Sequence, residues 1–173
     1  MRLLVEMTPI MRSSRTLLFG LAMLLPTICH GQPKCPWINE ATAGGILGGG
    51  VTVTANVSDQ GDGVCEFTRP QEAVVHQLRI SVSVMTDIAR QFLTYLAQCP
   101  PNSTPLRAIG NEAVTCSVLG KAGGYAEQVI GRVRDQAFIV TVSSSVRNDP
   151  SMTQEMCREK ANLVAEQVAG ILF

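Results

Sequence analysis

The chain has 173 residues, 46% of them apolar and 5% aromatic, with 14 Lys+Arg against 14 Asp+Glu. That length suits one compact domain and leaves little room for two. Residues 1–31 hold three arginines and one glutamate, so the remainder has eleven bases against thirteen acids, a net −2, which excludes the broad basic face that nucleic acid requires.

Taken in chain order, the first element is an address. Residues 17–25 are apolar, Arg12 and Arg15 precede them, and Pro26 followed by Thr27-Ile28-Cys29-His30-Gly31 closes them. A basic flank, an apolar core of roughly 7–15 residues and small residues before a cut make a secretory signal peptide. A membrane span would need about 20 apolar residues. Cleavage is expected after Gly31, with translation starting either at Met1 or at Met11. A lipoprotein reading would lipidate Cys29, but bulky Ile28 departs from the small residue expected before such a cysteine. Residues 32–173 then form a single exported domain with no transmembrane segment.

Within that domain, Asn39 ahead of residues 40–47 and Gly48-Gly49-Gly50 after them predict a short capped helix, weakened by Gly44 and Gly45. Residues 51–57 alternate as a strand, 59–63 turn, and 64–69 return. After Pro70, residues 76–84 form a third strand with Leu78, Ile80, Val82 and Val84 on one face and Arg79, Ser81 and Ser83 on the other. Thr86 reads as the cap of a helix whose stripe is Ile88, Phe92, Tyr95 and Leu96, ended by the proline-rich run 99–105. Residues 112–118 form a strand, and 125–133 with 137–145 a hairpin about Arg134-Asp135-Gln136, although Ala126, Val129, Ile130 and Val133 also fit helical spacing. Asp149-Pro150 reads as the start of a last helix that turns Met156, Leu163, Val164, Val168, Ile171 and Leu172 inward. The order α-βββ-α-βββ-α is an α+β fold: an antiparallel sheet built from two three-strand meanders, with amphipathic helices on one face. The repeated meander suggests a pseudo-repeat, although the residues of its halves do not align.

Export places the chain where disulfides persist. Beyond the signal lie Cys35, Cys65, Cys99, Cys116 and Cys157, an odd number, so at least one thiol is unpaired within the chain. Two bridges among five cysteines allow fifteen connectivities, and sequence alone does not choose. Local context favours Cys35 with Cys65, tying the terminus to a strand, and Cys99 with Cys116, clamping the proline-rich loop. Cys157 shares a helical stripe with Ala161, Val164 and Val168 and reads as a free, buried thiol.

The segments Cys35-Pro-Trp-Ile, Ala41-Thr-Ala-Gly-Gly-Ile-Leu, Cys65-Glu-Phe, Ile109-Gly-Asn-Glu-Ala-Val-Thr-Cys and Gly131-Arg-Val-Arg-Asp-Gln-Ala-Phe together resemble small exported bacterial proteins of the DUF3558-like group. The likeness covers most of residues 35–173 and departs from the group in lacking a clear lipobox. It supports the fold and the first disulfide, and it implies no activity or catalytic residue.

Candidate chemistry is sparse. His76 is the only histidine of residues 32–173, and it reads as a solvent-facing strand residue. An enzyme would need it to meet an acid and Ser143, Ser144 or Ser145 in space. Asp59 and Asp62 lack the spacing of a calcium loop, and Glu66, Glu72, Glu112 and Glu127 are too scattered to nominate a carboxylate pair. Residues 120–124 miss the phosphate-loop pattern. Asn56 and Asn102 open formal glycosylation sequons, idle in a bacterial setting. Trp37, Tyr95, Tyr125 and Phe138 are too few for an aromatic sugar platform. We therefore expect no catalytic, cofactor or metal residues, and a non-enzymatic domain that binds a protein or small ligand at the cell envelope. The alternatives are a hydrolase around His76 and a lipid-anchored structural protein.

Overall fold

The computed structural model describes residues 34–120 and 123–173. The expected signal segment, the start at Met11 and the cut after Gly31 lie outside them, as does Lys121 of the glycine-rich loop. The elements are α1 (Glu40–Leu47), β1 (Thr52–Val57), β2 (Gly63–Gln71), β3 (Val74–Val84), α2 (Ile88–Leu96), β4 (Thr104–Leu106), β5 (Glu112–Leu119), β6 (Tyr125–Val133), β7 (Gln136–Ser144) and α3 (Gln154–Leu172). All strands join one antiparallel sheet in the order β1-β2-β3-β7-β6-β5-β4. Two meanders, β1–β3 and β5–β7, meet along a seam between β3 and β7 that runs from His76 opposite Ser144 to Val84 opposite Gln136. The ambiguous 126–133 stretch is strand. The short β4 was not anticipated; it forms inside the proline-rich run, pairing Pro105 with Val114 at the sheet's edge, where a missing N–H costs nothing.

The sheet is covered on both sides. α1 and α3 share one face, where Ile46, Leu47, Val164 and Val168 meet Phe67, Leu78, Ile80, Val129, Phe138, Val140 and Val142. Each fully buried side chain of this size contributes about 1.5–3 kcal/mol. α2 lies on the opposite face, where Phe92, Met85 and Cys99 meet Cys116, Ile130 and Ala137. The expectation of helices on one face thus holds for α1 and α3 and fails for α2. Its cause is the middle of the sheet: β6 and β7 carry apolar residues on both faces, Val129 beside Ile130 and Phe138 beside Ile139, and each face needs a lid. The strands of the two meanders mirror one another about the seam, but the helices that follow them do not.

Local chemistry sets the ends of the helices. Asn39 Oδ1 accepts from Thr42 N at 2.8 Å, and Gly48 adopts φ 85° while its N–H and that of Gly49 bond Gly44 O, a left-handed stop that glycine permits. Arg69 donates to Leu47 O at 2.8 Å and Lys160 to Ile46 O, so two cations from β2 and α3 meet the carbonyl end of α1, where the helix dipole favours positive charge. α2 is capped by Asp87 rather than Thr86, through Arg90 N at 3.2 Å. α3 is capped by Thr153 rather than by Asp149-Pro150. Its buried stripe is Cys157, Ala161, Val164, Ala165, Val168 and Ala169, while Leu163 and Ile171 face outward, correcting the expected inward set. Small residues on that stripe let α3 lie close on β6 and β7. On β6, Gly131 sits opposite Phe138, and a Cβ there would come within 2.4 Å of the ring. The ring occupies the space that a side chain at residue 131 would fill.

Candidate functional site

His76 is fully buried, contrary to the solvent-facing expectation. On β3 it continues the inward row of Leu78, Ile80 and Val82, and its Nε2 lies 2.5 Å from Asp149 Oδ2. The same carboxylate oxygen accepts from Ser144 Oγ at 2.8 Å. Its other oxygen accepts from Ser151 N at 2.9 Å and Ser151 Oγ at 2.6 Å. Asp149 therefore holds β3, β7 and the chain entering α3 in one knot. Burial alone would raise its proton affinity; the hydrogen bonds from Ser151, His76 and Ser144 outweigh burial and hold the carboxyl below the usual range. With Asp149 ionised, His76 Nε2 must carry the hydrogen, and Nδ1 is left buried without a hydrogen-bond partner among the described residues.

The acid, the histidine and one of the three candidate serines thus meet, but not in the order nucleophilic catalysis uses. The hydroxyl of Ser144 is spent on the carboxylate rather than on the imidazole that would take its proton. Ser145 Oγ accepts from Val75 N at 2.9 Å, and Ser143 lies on the opposite side of β7. His76, Ser144 and Asp149 are all buried, at 0%, 1% and 4% exposure.

Beside this knot, Tyr125 donates its hydroxyl to Met152 O, and its proton is retained up to about 12 by burial and by the nearby Cys157 and Asp149. Cys157 is the one free cysteine among the described residues and is fully buried. Burial, with Glu127 and Asp149 nearby, pushes its thiol up to about 12 against the opposing pull of Lys160. The thiolate is the reactive form. Native protein at pH 8 should therefore resist iodoacetamide and take up one label per chain only after unfolding without reductant; mass spectrometry showing prompt native labelling would contradict this.

A cleft lies between the first turns of α3 and the β4–β5–β6 end of the sheet. It encloses about 510 Å³ and is lined by residues that include Thr104, Leu106, Thr115, Ser117, Glu127, Arg158 and Asn162. Ser117 and Glu127 are paired across β5 and β6, Thr115 lies one pleat along on the same face, and Arg158 and Asn162 project from successive turns of α3. Glu127 is 1% exposed. Its Oε1 accepts from Ser117 Oγ at 2.6 Å and Gln154 Nε2 at 2.8 Å, and its Oε2 faces Arg158 Nε at 3.6 Å. Arg158 also pairs with Glu155 at 3.1 Å. Thr115 and Asn162 of this lining each hold a buried atom, Oγ1 and Oδ1, without a hydrogen-bond partner among the described residues, an exceptional state for buried polar atoms.

Sequence reasoning passed over Glu127 as one scattered acid. The available signal was its register with Ser117, which becomes visible only once β5 and β6 are paired. The cysteines are joined as Cys35–Cys65 and Cys99–Cys116, each with Cα atoms 5.8 Å apart. Trp37 is buried beside the first bridge in the α1 core. Asp62, in the β1–β2 turn, reaches the end of β3, its Oδ1 accepting from Val84 N at 2.5 Å. Among the described residues no group of three or more His, Cys, Asp or Glu side chains is placed to hold a metal ion, and no helix is long and apolar enough to cross a membrane. Compared with family models and with curated proteins, the chain gives no match.

Proposed function

We propose that this is an exported, disulfide-stapled, non-enzymatic domain, akin to the DUF3558-like group, that acts in the periplasm or outside the cell by binding a small polar ligand in the β5–α3 cleft. The observation that carries the reading is that two residues lining one concave polar site, Thr115 and Asn162, hold buried atoms, Oγ1 and Oδ1, with no hydrogen-bond partner among the described residues. Pockets that select ligands combine a shaped wall with a few convergent polar groups, and an unpaired buried acceptor costs about 1–3 kcal/mol unless something bonds it. The two disulfides agree with an oxidising compartment. The runner-up, a hydrolase around His76, would require Ser144 to turn from Asp149 to the imidazole and a path to open from solvent.

Titrating ¹⁵N-labelled protein with a panel of small amines, polyols and carboxylates tests the reading. Amide resonances of Thr115, Ser117, Glu127, Arg158 and Asn162 should move while those of His76 and Ser144 stay. Shifts confined to other surfaces, or none with any compound, would overturn it.

A further inference from the structure

We propose that the cleft accepts a primary ammonium group, an inference that rests on reading the cleft as the binding site. The hydrogen-bond donors that reach Glu127 are already committed, while the hydroxyl of Thr115 is free to accept or donate. Ser117 Oγ and Gln154 Nε2 donate to Oε1, Gln154 Nε2 also reaches Ser117 Oγ at 2.9 Å, and the Arg158 guanidinium is divided between Glu127 and Glu155. The acceptors are not committed. Among the described residues, Glu127 Oε2 has only the guanidinium at 3.6 Å, beyond hydrogen-bond length, and Thr115 Oγ1 and Asn162 Oδ1 have no partner.

Charge points the same way. Two carboxylates, the buried Glu127 and the solvent-exposed Glu155, share one guanidinium, so Arg158 answers the buried charge only in part and the trio keeps an excess of one negative charge, which water screens at Glu155. A ligand carboxylate or phosphate would add to that excess. A neutral hydroxyl could bond the acceptors but would leave the charge unanswered. An ammonium group brings three donors, no acceptor and one positive charge, and its hydrogen bonds to a carboxylate are of the strong, charge-assisted kind. Leu106 and Pro100 supply apolar wall for an alkyl stem.

The test uses the intact disulfide-bonded protein and four probes, followed by amide shifts. 1,4-Diaminobutane should move the Thr115, Ser117, Arg158 and Asn162 resonances at lower concentration than 1,4-butanediol or butyrate. Nα-acetyl-lysine amide carries the same group as a peptide side chain; tighter binding of it than of the diamine would assign the site to a partner protein's lysine, and the reverse to a free amine. Glu127→Gln should weaken the diamine about tenfold or more. Since Glu127 also bonds Ser117 and Gln154, Thr115→Val is the second variant: its hydroxyl has no partner to lose among the described residues, and it should weaken the diamine severalfold with a urea midpoint that is unchanged or raised. Equal or stronger shifts of these residues by butanediol or butyrate, or undiminished diamine binding in both variants, would overturn the ammonium assignment and leave the cleft standing. Absence of cleft shifts with all four probes would overturn the assignment, and with the wider panel would remove the cleft as well.

Discussion

Opening both disulfides is expected to unfold this domain near physiological temperature. The bridges close loops with sequence separations of 30 and 17 residues. The chain-entropy relation assigns them about 3.6 and about 3.1 kcal/mol, against a total stability of about 5–15 kcal/mol for a domain. They also act in different places. Cys35–Cys65 fastens the segment before α1 to β2 within the larger core, and Cys99–Cys116 fastens the end of α2 to β5 on the other face. Losing the second should loosen α2, whose only fully enclosed residue is Phe92, and spare the α1–α3 side. Urea unfolding followed by circular dichroism, with and without reductant, should show a loss of roughly 3 kcal/mol for Cys99→Ser with Cys116→Ser and a far larger one on full reduction. A midpoint unmoved by reductant would show that the cores alone sustain the fold.

The next largest effect should come from Asp149→Ala, at about 3–5 kcal/mol, because it strands a buried histidine that had a charged partner and frees Ser144 and Ser151 as well. Joining His76→Leu to Asp149→Ala should recover part of the loss, since no polar ring is then left unpaired. The pH dependence follows from the direction of the shift. The folded carboxyl is held below its unfolded value of about 3.9, so its contribution is complete above that value and declines as pH falls beneath it toward the folded one. Asp149→Asn should flatten this acid limb of the stability curve. A wild-type limb unchanged by the substitution would place the acid-sensitive group elsewhere.

How much of this was legible in the sequence depends on the kind of signal each residue carries. Strict alternation in β3 and β7 revealed the strands, and the spacing of two with Leu78, Ile80 and Val82 also placed His76 indoors. The polarity of the residue argued for the outside, and the pattern was the better guide, because a partner 73 residues away at Asp149 takes up the Nε2 side of the ring. The stripe of α2 showed that one side is buried but not which face of the sheet covers it, for amphipathicity fixes a helix's rotation and not its address. β6 is buried on both faces, so it shows no alternation, and helix and strand readings compete there. The cleft was hidden for a related reason: its members come from β4, β5, β6 and α3, and nothing local in any one of them marks Glu127 apart from other glutamates.

The seam between β3 and β7 governs the order of assembly. Each meander is made of neighbouring hairpins, which close cheaply, whereas pairing His76 with Ser144 must first close a loop spanning the whole second half of the domain, an entropic cost met before any contact repays it. The two half-sheets should therefore form early and dock late, with the docking step setting the folding rate. Asp149 reaches Ser144 and Ser151 within its own half of the chain, but its bond to His76 across the seam can form only after docking. An interaction made after the barrier leaves folding speed nearly untouched and slows opening; the buried carboxylate thus acts as a latch that determines how long the joined halves stay joined.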